Sequence, residues 1–248
     1  MRDKTLFLAW QDKRITRAWF PVGRLDVLRH QGGYRFRYIK GAERARHDAG
    51  FETLMDFPDW TRTYESSVLF PLFMNRIIPA GRRDFSEYLH MLDLSEGSEP
   101  ADILEVDGGY RATDNFEVFP KIERAPDGAF RCRFFLHGWR YVNRNARRRI
   151  DALVPGETLY VTVELTNPAT QLAVQIQTKD YHMIGWAPRY LVGDLVHAIA
   201  QAPGKYGAKV VRNNPAPAPS KQRLLVELWG CWPKYEPMEM GDFELLAH

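Results

Sequence analysis

Between residues 159 and 176 apolar side chains recur at every second position. Leu159, Val161, Val163 and Leu165 alternate with Tyr160, Thr162 and Glu164. Asn167-Pro168 then turns the chain, and Leu172, Val174 and Ile176 resume the alternation. A period of two puts one set of side chains on one face of a strand, so these runs predict paired strands with one buried face. A third short strand, Met183 to Gly185, follows. Pro188 then opens a helix, in the position where proline is tolerated. Leu191, Leu195, Val196 and Ile199 give that helix an apolar face, and Pro203-Gly204 end it. Several short strands with one amphipathic helix suit a small barrel with a capping helix. Upstream, Phe116 to Ile122 and Phe130 to Leu136 read as strands around Ala125-Pro126-Asp127-Gly128, a strong hairpin signal.

The first forty residues also read as strands. Leu6 to Trp10 is a short apolar run, Ile15 to Leu25 alternates loosely, and Tyr34 to Tyr38 alternates strictly, with three aromatics on one face and two arginines on the other. Residues 41–60 look irregular with a short helix, and Val68 to Ile78 is apolar and expected to be buried. A helix is predicted from Asp84 to about Leu94, with Asp84 and Glu87 forming a capping-box pattern before the stripe Phe85, Tyr88, Leu89 and Leu92. Ser95 to Pro100 marks a break. Asn213 to Ser220 reads as an extended linker. Leu224 to Trp229 is a last strand, and the acidic remainder is a loose tail or a cap. The predicted fold is α+β, mostly β. It divides into a β-rich lobe over 1–95, a barrel over 96–210, and a linker, strand and acidic tail over 211–248.

Charge is unevenly spread. The formal net charge is +3, yet residues 125–235 hold 15 Lys and Arg against seven Asp and Glu, a net of +8. A basic middle points towards a polyanionic partner. The two cysteines, Cys132 and Cys231, form no CxxC, and no histidine pair has metal spacing, so neither a zinc site nor a disulfide framework is expected. No apolar run reaches the length of a membrane span. Met1 to Ala9 carries Arg2, Asp3 and Lys4 before a short apolar run, unlike a signal peptide. These features predict a cytoplasmic protein without a cofactor.

Four pieces of the chain resemble, in order, the pattern of the HIRAN domain family. They are Leu136-His137-Gly138-Trp139-Arg140-Tyr141, Pro155-Gly156-Glu157-Thr158-Leu159, Leu165-Thr166-Asn167-Pro168 and Ile184-Gly185-Trp186-Ala187-Pro188-Arg189-Tyr190-Leu191. The resemblance covers about 130–202 and implies an OB-like six-stranded barrel of the kind found in Rad-type helicases of DNA repair and in stand-alone bacterial proteins. It also implies binding of single-stranded DNA or DNA ends. Carried over position by position, the gripping residues are Arg140 and Tyr141, Thr166 and Asn167, and Trp186 and Arg189. The family's turn is Asn-Pro-Tyr-Asp, where this chain has Asn167-Pro168-Ala169-Thr170, so a stacking ring and a 3′-hydroxyl acceptor are missing. Residues 1–95, above all Pro71 to Ile77, resemble more weakly the N-terminal subdomain of HipA-type proteins, which packs against a kinase body or partner. No kinase signature accompanies it.

The residues themselves admit two accounts. Arg140, Arg144, Arg147, Arg148 and Arg149 are either a solvated face or a phosphate-binding cluster, for which the planar guanidinium fork is well suited. Trp186 and Tyr141 are either packed rings or base-stacking platforms. No acid/base pair, nucleophile elbow or Walker motif is present, so no catalysis is expected. The nucleic-acid reading assigns binding to Arg140, Tyr141, Arg144, Arg147, Arg148, Asn167, Trp186 and Arg189. The alternative is a protein-interaction module, antitoxin-like or a scaffold partner, acting through the N-terminal lobe.

Overall fold

The computed structural model describes residues 3–246. Strand outweighs helix, and the chain divides into two compact units, each built on one antiparallel sheet. Among the described residues no helix is long and apolar enough to cross a membrane.

The first unit takes the residues up to Ser86, then Glu96–Lys121, then those from Met238 onward. Its strands are β1 (Lys4–Gln11), β2 (Trp19–Leu28), β3 (Gly33–Tyr38), β4 (Tyr64–Ser66) and β5 (Phe116–Pro120), in the order β4-β3-β2-β1-β5. The alternation at 34–38 is the reason for β3: Phe36 and Tyr38 are fully buried, whereas Arg35 and Arg37 meet Glu65 and Asp26 on the other face. Helices α1 (Lys40–Ala49), α2 (Pro71–Met74), α3 (Phe85–Met91) and α4 (Pro100–Asp107) complete the N-terminal part, α3 running on from the first unit into the second. Helix α3 begins at Phe85, directly after Asp84, whose carboxylate binds the Arg82 guanidinium; a capping box is formed on α4, where Glu99 and Asp102 exchange bonds with backbone N–H groups. Two local expectations are corrected. In the stretch 68–78, Leu69 and Phe73 are buried, but Val68 and Met74 are exposed. The Ala125–Gly128 turn forms and is closed by an antiparallel bridge between Arg124 and Phe130, yet the two flanking strands do not pair with each other: β5 pairs with β1, and the strand after the turn pairs elsewhere.

The second unit is Glu87–Ser95 with Ile122–Pro237. Its strands are β6 (Ala129–Phe135), β7 (Thr158–Asn167), β8 (Gln171–Thr178), β9 (Met183–Trp186), β10 (Gly207–Asn213) and β11 (Leu224–Cys231), in the order β6-β11-β10-β7-β8-β9. Helix α5 (Arg144–Asp151) follows β6, and α6 (Val192–Gln201) follows β9 after a 3-10 turn opened by Pro188. The six strands were expected to close into a barrel. The ladder is not closed, and among the described residues the two ends of the sheet are linked by a single bridge, between His137 and Trp186.

Residues 96–121 lie with the first unit because β5 pairs with β1. The Pro-rich stretch connects β10 to β11 and is tied down: the Asn213 amide donates to the carbonyls of Ile150 and Leu153, and that of Asn214 to Met91 and Gln222. The acidic tail is paired. Glu239 meets Lys121, Asp242 meets Arg44 and Glu244 meets Lys40 within the first unit.

Candidate nucleic-acid interface

The bridge at the open side of the sheet depends on two glycines. The His137 N–H donates to the Trp186 carbonyl at 2.9 Å, and the Trp186 N–H donates back at 3.0 Å. Gly138 follows with φ +71°, and a Cβ there would lie 2.4 Å from the Trp186 ring. Gly185 has φ +151°, and a Cβ there would meet the His137 carbonyl oxygen at 2.6 Å. Only hydrogen in place of a side chain lets the two backbones approach this closely.

Beyond Gly138 the chain makes a 3-10 turn, Trp139–Tyr141. The Trp139 indole N–H donates to the Ser220 carbonyl at 2.7 Å, which fixes the turn, while the Tyr141 ring is left 82% exposed. Asn143 then caps α5, its side-chain oxygen accepting from the Ala146 N–H at 2.9 Å. Ala146 and Ile150, four residues apart, bury one face of α5. Arg144, Arg147 and Arg148, spaced i, i+3 and i+4, therefore share the opposite face, and all three are exposed. With Arg140 they have no ion-pair partner among the described residues. Arg149 faces elsewhere. It binds Asp180 at 3.0 Å and Glu157, and these bonds, the one to Glu157 foremost, raise its pKa. It leaves the cluster that the sequence grouped together.

Below the bridge lies a residue that the sequence reading missed. The Glu164 carboxylate accepts the Trp186 indole N–H at 2.7 Å and the Asn167 amide at 2.9 Å. Desolvation pushes its pKa up, but the bonds from Asn167, Trp186 and Gln175 outweigh that and hold it below the usual carboxylate range. The alternation placed Glu164 on the polar face of β7, but nothing local tied it to a tryptophan 22 residues later.

The part of the chain that carries this geometry has a family counterpart. Residues 129–230 match the HIRAN domain. The match begins with β6 and ends within β11, so it takes in all six strands. The sequence reading stopped the resemblance near 202 because β10 and β11 flank the Pro-rich stretch and carry none of the four motifs. HIRAN domains are in general nucleic-acid-binding domains. A crystal structure of a protein from Lactobacillus plantarum is 20% identical, covering 42% of this chain and 90% of that one, with a TM-score of 0.32. No curated protein matches the sequence.

Within the HIRAN unit the predicted residues fall into two groups. Arg140, Tyr141, Arg144, Arg147 and Arg148 project into solvent from one short stretch. Asn167 is occupied by its own turn, its oxygen accepting from the N–H groups of Ala169 and Thr170 and from the Thr170 hydroxyl. Trp186 is half-buried against Gly138 and held by Glu164. Arg189 is half-buried, and desolvation lowers its pKa. Asn167 and Trp186 are thus held by bonds within the unit, with part of the Trp186 ring left open.

Proposed function

We propose that this protein binds single-stranded nucleic acid, DNA foremost, through its HIRAN unit, and that it does so without chemistry of its own. The observation that carries this reading is the set of four exposed guanidinium groups, Arg140, Arg144, Arg147 and Arg148, clustered on one short stretch and without an ion-pair partner among the described residues, in a unit whose arginines at 124, 131, 133, 149, 212 and 223 are bonded to carboxylates. Unpaired cations on one short stretch suit a chain of phosphates, and the exposed Tyr141 beside them suits a base. Asn167, Trp186 and Arg189 act in this reading by shaping the surface. Ala169 and Thr170 supply no carboxylate at the turn, so the body of a strand is bound in preference to its 3′ end.

The test is fluorescence anisotropy of labelled single-stranded oligonucleotides across a salt series. Affinity at low salt that falls linearly in log–log form as salt rises is the expected result. No binding at low salt would sink the proposal and leave a protein-interaction role for the first unit in its place.

A further inference from the structure

We infer that the outer face of β7, β8 and β9 reads the bases of a bound DNA strand while α5 holds its phosphates. This rests on the nucleic-acid reading above and adds a base-contacting surface to it. Strand register sets the face. Tyr160 pairs with Gln177, which pairs with Met183, and Thr162 pairs with Gln175, which pairs with Trp186. Cross-strand partners share a side, so Tyr160, Thr162, Gln175, Gln177 and Trp186 stand together, opposite the buried Leu159, Val174 and Ile176.

Three features point to bases as the occupant. The first is aromatic. Tyr160 and Tyr181 are 41% and 76% exposed, with ring centroids 5.8 Å apart. Exposed rings are the platforms on which single-stranded bases stack. The second is an ordered run of side-chain amides. The Gln177 amide donates to the Gln175 oxygen at 3.2 Å, and Gln175 in turn bonds the Glu164 carboxylate that holds Trp186. This leaves the Gln177 side-chain oxygen without a partner among the described residues. A fixed amide acceptor beside flat rings suits the polar edge of a base.

The third feature is the placement of Tyr181. It lies in the β8–β9 turn with φ +64°, a left-handed conformation uncommon for a bulky side chain. The turn is held by the Tyr181 N–H to the Thr178 carbonyl at 2.9 Å and the His182 N–H to the Thr178 hydroxyl at 3.1 Å. Asp180, next in the turn, binds Arg149 of α5, which sets Tyr181 beside the arginine helix. Glycine is the residue such a position favours, so the exposed Tyr181 ring is presented at a cost in backbone conformation.

The experiment compares a labelled DNA strand of about 12 nucleotides with an abasic strand of the same length, using the full chain. The wild type should bind the base-bearing strand about tenfold or more tightly than the abasic one, with the same salt slope for both. Tyr181→Gly should close most of the gap, leaving the share that Tyr141 carries, while melting no lower than wild type, since glycine suits the turn. Tyr160→Ala and Gln177→Ala should narrow the gap in part. Equal binding of both strands by the wild type would overturn this inference and leave the phosphate-binding proposal standing. So would a preference for bases that Tyr181→Gly and Tyr160→Ala leave undiminished. Failure to bind either strand at low salt would overturn both.

Discussion

A methyl group on Gly138 would enter the Trp186 ring at 2.4 Å, from a backbone at φ +71°. Overpacking of this kind costs about 1–3 kcal/mol, and the left-handed conformation adds about 1–2 kcal/mol for any side chain. Gly138→Ala is therefore expected to shift the urea midpoint well below that of the wild type, and an unchanged midpoint would show that the bridge yields easily. The resemblance had already drawn attention to this glycine as the start of a motif. Its physical role was not legible, because the ring it makes room for lies far along the chain. At Tyr38 the hydroxyl donates to the Phe57 carbonyl and accepts from the Leu54 N–H, both at 2.7 Å. Desolvation raises its pKa from 10.0 to about 12. The neutral phenol is thus favoured in the folded state. Its contribution to stability is complete below about pH 10 and is lost as pH rises towards 12. Denaturant unfolding of Tyr38→Phe against wild type across that window should show a loss confined to the tyrosine protein.

Helix α5 is the element on which the proposed function stands. Replacing Arg144, Arg147 or Arg148 singly by glutamine removes one cation from the phosphate path, and each replacement should flatten the salt slope for single-stranded DNA by about 0.7. Arg149→Gln should leave the slope unchanged, since its charge is already met by Asp180 and Glu157. Asn143→Ala removes the cap and should cost about 1 kcal/mol of stability, measurable by thermal unfolding. The arginines could be counted in the sequence, but which of the five were free could not. The partners of Arg149 lie 8 and 31 residues away, beyond any local pattern. Strands were more legible than their pairings for the same reason. Alternation gave β3, β7 and β8 because burial of one face writes a period of two. The Asp127-Gly128 turn suggested a hairpin because turn chemistry is local, whereas membership of a sheet was decided by β1 and β11, distant in sequence.

On the scale of the whole molecule, the first unit is assembled from three separated stretches, and its last stretch is an integral part of it. Met238 is buried, the Phe243 ring packs edge-on to Phe7 at 4.8 Å, and Leu246 donates its N–H to the Tyr38 carbonyl. A chain stopped after Pro237 should lose at least about 1 kcal/mol from the first unit and become sensitive to trypsin there, at Lys40 and Arg44, whose carboxylate partners it lacks. Fragments covering 122–237 should survive the same digestion; equal resistance of both regions would show that the tail is dispensable. Sequence reading left the tail open between loose and capping, because an acidic run does not say which cations it will meet. The arrangement also bears on the order of events at the ribosome, where domains ordinarily fold in the order they are made. Here every strand of the HIRAN unit has been synthesised by Cys231, while the unit that begins the chain must wait for the residues after Met238 before it can close. The sheet of the first unit has all five of its strands by Pro120, but the Met238 and Phe243 side chains that pack onto that unit arrive only after the HIRAN unit has been made.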